Sequence, residues 1–306
     1  MNKVLITGSS GFLGKHLCSF LSDKNIPFTA LNSTNCNLCS DSSLDNFIRD
    51  PSEYDFIFHL AAWTQAGTFC DTHRGIQWVV NQKINTNVLD FWAKKMPQAK
   101  MIAFGTSVSY AIDNPLEESF YMDKEPYDKF YSYAYSKRML LVGLECLAKQ
   151  YSLNYLYFIP STLYGPDYHL DDRQPHFIYD LINKVLRGKY LNESVSLWGD
   201  GEQKRELVYV NDFVEIMYEL ATRQNNQIIN IGAGKEYTIK HFADLICKKI
   251  GYDFEDIKFD VTKYVGAKSK CLDITKLKSI LPEYELTPLE IGLDKTIDWF
   301  IGTKSY

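Results

Sequence analysis

The 306 residues predict an α/β protein: a doubly wound parallel sheet joined to a smaller, interlocked C-terminal domain. Three observations carry this. Short apolar, β-rich runs alternate with helix-period segments through the first half of the chain. A triplet of glycines stands between the first strand and the first helix. Beyond about residue 165 the alternation loosens into polar loops, short strands and scattered helices.

Strands are expected at VLIT (4–7), PFTAL (27–31), DFIFHLAA (55–62), KMIAFGT (100–106), NYLYFIPS (154–161) and QIINIG (227–232). Runs as apolar as FIFHLAA suit burial on both faces, as in a parallel sheet covered by helices. Helices are expected at 14–24, 87–95 and 137–150. In the second half, 176–188 reads as a helix ending at Gly188, and 195–210 as two strands around a glycine-rich turn. The helix at 211–221 would be capped by Asn211 or Asp212, and the one at 238–251 would end at Gly251. The expected division is a dinucleotide-binding domain over 1–165, with a return segment near 206–232, and a mainly substrate-binding domain over 166–306. No low-complexity linker separates them, so the second is expected to pack on the first, with the crevice as the site.

A net charge of -5 argues against nucleic acid as a partner. No run approaches the roughly 20 apolar residues of a membrane span. Met1 leads straight into the first strand rather than a secretory signal, so a cytoplasmic protein is expected. The seven cysteines are odd in number and scattered, which suits free thiols. Cys36 and Cys39 form a lone CxxC without a second ligand pair, and no metal is expected.

The first strand runs into Thr7-Gly8-Ser9-Ser10-Gly11-Phe12-Leu13-Gly14, and a helix opens there. A dinucleotide pyrophosphate needs such a stretch: a tight turn, close backbone approach and the free N–H groups of a helix N-terminus. This is the phosphate loop of a Rossmann domain, although its GxxGxxG spacing departs from the commoner GxGxxG. After the second strand comes Asn32-Ser33-Thr34-Asn35. No carboxylate stands there to hold a ribose 2′-hydroxyl, which favours NADP(H). No arginine stands there either; Lys15 is the nearest candidate for a 2′-phosphate.

The fourth strand ends in GTSVSY (105–110), crowding Thr106, Ser107, Ser109 and Tyr110 around Val108. Further on, Tyr133 and Lys137 stand four apart at the head of the helix 137–150, on one face. An ammonium beside a phenol should lower the phenol's pKa and let it exchange a proton with a substrate oxygen near neutral pH.

Together the glycine loop, the hydroxyl cluster and the YxxxK resemble the extended short-chain dehydrogenase/reductases, also called the epimerase/dehydratase family, over nearly the whole chain. The resemblance implies that Tyr133 is the proton donor and that Lys137 tunes it and holds the nicotinamide ribose. It implies that Thr106, with Ser107, orients the substrate oxygen. It places the cofactor against Gly8, Ser10, Gly11, Phe12, Leu13, Gly14, Asn32, Asn37, Leu38, Leu60, Ala61, Ala62, Lys137 and Pro160. Asn85 and Tyr164-Gly165-Pro166 are lesser marks. Within the branch the chain is most similar to the GDP-L-fucose synthases, through YAYSK (133–137), PSTLYGPD (160–167), WGDGEQKRELVYVND (198–212) and SKCLDITKL (269–277). That implies a nucleotide-diphosphate sugar as substrate, a homodimer, and a place in surface-polysaccharide biosynthesis. It puts Val108, Thr162, His176, Lys184, Trp198, Arg205 and Lys270 around the substrate, with Arg205 and Lys184 on the diphosphate.

In that group a cysteine, partnered by a histidine, moves a proton during epimerisation. Val108 occupies the cysteine position and His176 the histidine position. The expectation is therefore C4 reduction of a GDP-4-keto sugar, a 6-deoxyhexose or heptose, without inversion at C3 or C5. The alternatives are the bifunctional 3,5-epimerase/4-reductase, a 4-epimerase, and a non-catalytic nucleotide-binding protein. A 4,6-dehydratase would need a carboxylate pair after Thr106, where Ser107-Val108 stand.

Overall fold

The computed structural model describes residues 3–169, 171, 173–263 and 266–306. Its strands are β1 (Val4–Thr7), β2 (Phe28–Leu31), β3 (Phe56–His59), β4 (Lys100–Phe104), β5 (Tyr155–Pro160), β6 (Thr162–Tyr164), β7 (Ser196–Trp198), β8 (Lys204–Arg205), β9 (Leu207–Tyr209), β10 (Gln227–Ile231), β11 (Tyr237–Thr238) and β12 (Lys258–Asp260). Its helices are α1 (Phe12–Asp23), α2 (Ser43–Phe47), α3 (Phe69–Thr72), α4 (Arg74–Lys95), α5 (Tyr131–Tyr151), α6 (Phe177–Leu191), α7 (Val210–Arg223), α8 (Ile239–Ile250), α9 (Thr275–Ile280) and α10 (Leu289–Thr303). The chain divides into two compact units, one over 3–64, 68–160 and 213–231, the other over 65–67, 161–212 and 232–306.

The first unit is built on a six-stranded sheet in the order β10-β5-β4-β3-β1-β2. Every pairing in it is parallel. The α/β expectation is met, and the reason is visible in the strands. Leu5, Ile6, Ile57, Phe58, Ile102 and Phe158 are all buried, from both faces of the sheet. Each such side chain contributes about 1.5–3 kcal/mol relative to exposure.

Two helices start earlier than the sequence suggests. α4 begins at Arg74 rather than at 87. Its first two buried positions are Gln77 and Asn81, and Asn85 follows beside Ile84, so the apolar periodicity is weak where the buried face is largely amide. α5 begins at Tyr131 rather than Lys137, which puts Tyr133 inside the helix. Its tyrosine- and serine-rich opening reads as a turn but packs as helix.

In the second unit the expected pair of strands over 195–210 is three: β7 pairs with β12, β8 with β11, and β9 with β6. Short strands seeking distant partners leave no alternating pattern to read. Nor does Asn211 or Asp212 cap α7, which begins at Val210. The Asp212 carboxylate instead accepts from the amide and hydroxyl of Thr287, each at 2.7 Å. α8 does end at Gly251, and Thr238 caps its start by accepting from the His241 amide at 3.1 Å.

Candidate active site

In the first unit the register sets the candidate residues along one edge of the sheet. Thr7 lies beside Leu31 and His59, His59 beside Ala103, and Phe104 beside Phe158. The loops after these carboxyl ends carry Gly8, Asn32, Leu60 and Thr106, and Pro160 ends β5. That edge is where ligands bind in such sheets.

The glycine loop fits a pyrophosphate. α1 starts after Gly11 with no side-chain cap, and a helix N-terminus of this kind suits an anion. A Cβ on Gly14 would stand 2.3 Å from the Gly8 carbonyl oxygen, so only glycine lets the helix close on the turn. Ser9 is tied to the Leu31 carbonyl by its amide and its hydroxyl, both at 2.9 Å. Ser10 is exposed; Phe12 and Leu13 are half-buried. Asn32 and Asn35 bond each other's backbone in a closed turn, and Asn37 accepts from the Cys39 amide at 3.1 Å. Leu38 is held through its carbonyl by Asn87 on α4 at 2.9 Å.

Leu60, Ala61 and Ala62 are fastened to this loop by a directed chain. The Ala61 amide donates to Thr7 Oγ1 at 3.2 Å. The Thr7 hydroxyl gives its proton to His59 Nδ1 at 2.8 Å, because Asn85, whose amide nitrogen donates elsewhere, offers His59 Nε2 only its accepting oxygen. That leaves the proton of His59 on Nε2, facing Asn85 Oδ1 at 3.1 Å, and Asn85 Nδ2 donates to the Ser136 carbonyl at 3.4 Å. The phosphate-loop strand and the YxxxK helix are thus connected through buried groups. Burial, with Lys137 nearby, pushes the His59 imidazole down to about 4, so it stays neutral.

Thr106 opens a single helical turn, Ser107–Ser109, and caps it with its own hydroxyl: Val108 N donates to Thr106 Oγ1 at 3.4 Å. Thr106, Ser107 and Val108 are half-buried. Ser109 Oγ donates to the Ala134 carbonyl at 3.2 Å, which docks the turn on α5 beside Tyr133. On α5, Lys137 Nζ lies 5.9 Å from the centre of the Tyr133 ring. Lys137 is buried, and burial pushes its ammonium down to about 8. The expected lowering of the Tyr133 phenol is not seen. Burial raises it, since removal from water disfavours tyrosinate more than the nearby ammonium favours it. Both groups shift toward their neutral forms, and Tyr133 holds a proton to give.

In the second unit Arg205, Lys270 and His176 gather. Lys270 is pushed down to about 8, by burial and then by the positive charge of Arg205, with Glu206 opposing. Burial also lowers Arg205. Among the described residues Lys270 has no ion pair. Glu236 favours the charged Arg205, whereas Lys270 is disfavoured by burial and by Arg205 together, an arrangement that would suit an anion. His176 keeps surface open to solvent although protein crowds its other sides; burial, then His169 and Lys270, push its imidazole down. Thr162 lies in β6 opposite Leu207. Lys184 is not drawn into this cluster. It pairs with Asp180, one turn back on α6, at 2.8 Å. Trp198 is 59% exposed on β7.

Sequence reasoning missed several supporting residues. Gln77 and Asn81 form a ladder along α4 with Asn85, which the resemblance had marked; Asn81 meets both the amide and the carbonyl of Trp63. Arg138 is 2% exposed. It donates to the carbonyls of Ser109 at 2.6 Å, Lys124 at 2.6 Å and Asp123 at 3.0 Å, clamping the hydroxyl turn and the loop at 123–124 to α5. In the second unit the buried Glu206 accepts from the amides of Gly234 and Leu272, at 2.7 and 3.0 Å. Glu236 accepts from the Lys270 amide at 3.1 Å. Together they pin the segment that carries Lys270. A buried-charge signal was available only for Glu206, which sits between an arginine and the apolar run 207–210.

Comparison with known proteins bears on the family and the fold. The profile of the NAD dependent epimerase/dehydratase family matches residues 4–232. A GDP-L-colitose synthase of Yersinia pseudotuberculosis is 27% identical over 310 residues, covering 99% of each chain. A GDP-L-fucose synthetase of Naegleria fowleri bound to NADP superposes with a TM-score of 0.88 at 22% identity, covering 99% of this chain and 93% of that one. A GDP-6-OMe-4-keto-L-xylo-heptose reductase of C. jejuni superposes equally well, at 0.88 and 19% identity, covering 99% and 98%.

Proposed function

Because the chain belongs to the NAD dependent epimerase/dehydratase family, we propose that it is an NADPH-dependent reductase acting on C4 of a GDP-4-keto sugar, without inverting C3 or C5. The observation that carries the reading is the first unit's arrangement: Lys137 Nζ stands 5.9 Å from the Tyr133 ring, and the Thr106 turn is docked on the same helix. The relatives' names support the substrate class, since GDP-sugar synthases and a 4-keto-heptose reductase share the length and fold. The NADP-bound relative supports the cofactor.

NADPH supplies the hydride to C4 when it is bound. Its pyrophosphate would lie on Gly8, Ser10, Gly11 and the start of α1, and its ribose by Lys137. Tyr133 donates its proton to the alkoxide oxygen developing at C4. Thr106, with Ser107, holds that oxygen, and donors aimed at developing charge are where such catalysis gains most. The Lys137 ammonium stabilises the tyrosinate left behind. In the second unit Arg205 and Lys270 take the diphosphate, and Thr162 and Trp198 serve the rest of the nucleotide sugar.

Neither Ser107 nor Val108 can act as a base, and this favours reduction alone. One observation favours the bifunctional 3,5-epimerase/4-reductase as a second reading: His176 is present, solvent-open and held neutral. The protein pairs with a second copy through α4 and α5, where Ile76, Trp78, Val79 and Met139 are exposed. It works in the cytoplasm; among the described residues no helix is long and apolar enough to cross a membrane.

The test is NADPH consumption with a panel of GDP- and UDP-linked 4-keto sugars, followed by NMR of the product. Turnover of a GDP-4-keto sugar with C3 and C5 unchanged is expected. Absence of turnover with every GDP-4-keto-6-deoxyhexose and heptose would end the reading.

A further inference from the structure

Two buried tyrosines outside the catalytic pair connect Thr106 to Lys137. The Thr106 amide donates to Tyr121 Oη at 3.4 Å. Tyr121 Oη lies 3.0 Å from Tyr157 Oη, and the Tyr157 hydroxyl donates to the Lys137 carbonyl at 2.7 Å. With the Tyr157 proton spent on Lys137, the proton between the phenols belongs to Tyr121. The chain of donors then runs one way, from the residue that would hold the substrate oxygen to the residue that would tune Tyr133.

Both rings are fully buried. Burial pushes both phenols above their ordinary range, so neither ionises at a working pH. They cross in a T-shaped contact with centres 5.7 Å apart, and Tyr110 meets Tyr121 edge-on at 5.3 Å. The ring positions explain the glycine that begins GTSVSY. A Cβ on Gly105 would stand 2.6 Å from Tyr121 Oη, 2.7 Å from Tyr157 Cε1 and 2.9 Å from Tyr157 Oη. The space under the end of β4 is occupied by phenols that a side chain there would displace. Arg138 holds the carbonyls of Asp123 and Lys124, which fixes the loop that delivers Tyr121.

We infer that Tyr121 and Tyr157 are positioning residues: a strut that sets the Thr106 backbone at a fixed separation from Lys137 and so aligns the oxygen holder with the proton donor. This rests on the reductase reading for its kinetic consequence, not for its geometry. A displacement on the order of 1 Å in such a constellation costs up to about 10²-fold in rate. The strut meets the cofactor residues only at the backbone carbonyl of Lys137, not at its ammonium, so its loss should leave the KM for NADPH unchanged.

The test uses Tyr121→Phe and Tyr157→Phe, which keep both rings and remove one oxygen each. In the ligand-free protein, amide exchange of the 104–110 segment should rise in Tyr121→Phe, because the Thr106 amide loses its acceptor. With NADPH and GDP-4-keto-6-deoxymannose, each variant should lose about tenfold in kcat at unchanged KM for NADPH. Added to Thr106→Ala, Tyr121→Phe should cost less than about twofold more, since a strut acts only through the residue it positions. Unchanged exchange, an unchanged kcat, or a full additional loss on the Thr106→Ala background would each overturn the strut. If the wild-type protein consumes no NADPH with this sugar, the reductase reading is at fault and the exchange experiment still decides the strut.

Discussion

The two units solve the burial of polar groups in opposite ways. In the first, almost every buried polar group near the candidate site has a partner of its own: Thr7 with His59, His59 with Asn85, Ser109 with Ala134, and Arg138 with three carbonyls. In the second, Lys270 is held at a cost, by burial and by the nearby charge of Arg205. A satisfied network holds catalytic groups still whether or not substrate is present. A cation held at such a cost gains most when an anion arrives. The difference teaches that the first unit is arranged for geometry and the second for capture.

That contrast predicts which kinetic parameter each unit governs. Tyr133→Phe removes the proton donor and should lower kcat by about 10²–10⁴-fold while NADPH still binds, as fluorescence titration would show. Near-normal kcat in the Phe variant would place the donor elsewhere. Arg205→Met should act on the other parameter. Loss of a charge-assisted bond costs about 1.5–3 kcal/mol, so the Kd for GDP measured by calorimetry should rise by roughly 10- to 100-fold. A large fall in kcat with unchanged GDP affinity would break the division of labour.

A lysine in each unit is pushed down to about 8, and pH separates them. The sign follows from the depressed value: each ammonium is charged below about pH 8 and lost above it. Bound diphosphate favours the charged form of Lys270. GDP affinity should therefore weaken on the alkaline side, no more steeply than about tenfold per pH unit for one linked proton. Lys270→Met should flatten that dependence. Lys137 should instead lower kcat on the alkaline side at saturating substrate. A flat GDP affinity on the alkaline side in the wild-type protein would remove Lys270 from the anion site.

The same contrast explains what the sequence could reveal. β1 and the glycine loop are legible because a local run of residues does the whole job. YxxxK is legible because its two members share one helical face. The supporting groups are not. Gln77 and Asn81 read as solvated amides until α5 and the Trp63 loop close over them. Tyr121 and Arg138 act through a stretch, 111–130, whose polar and proline-containing composition reads as loop. Lys184 errs the other way: a cation at a plausible spacing pairs with its helical neighbour Asp180. The sign of the Tyr133 shift was missed for a related reason, since a spacing argument contains the lysine but not the depth of burial.

The smallest expected effect is a null, and it sets the two units against each other directly. Val108 belongs to the first unit's turn and His176 to the second, and Val108 stands where the fucose-synthase resemblance expects a cysteine. The reaction is run in D₂O with a GDP-4-keto sugar carrying protons at C3 and C5. A reductase that relies on Thr106, Tyr133 and Lys137 leaves those protons in place while C4 is reduced. The histidine alone would have to remove a carbon-bound proton on one face and return one on the other, and Val108 offers no group for either step. Enzyme-dependent deuterium at C3 or C5 would show that another base has taken the vacant role. It would also move the assignment to the bifunctional reading. Val108→Cys is the converse. If His176 is still poised, slow exchange should appear in that variant at unchanged C4 reduction. If exchange stays absent although the variant folds and reduces normally, the second unit has lost its share of the epimerase machinery as well, and the chain is a reductase in both halves.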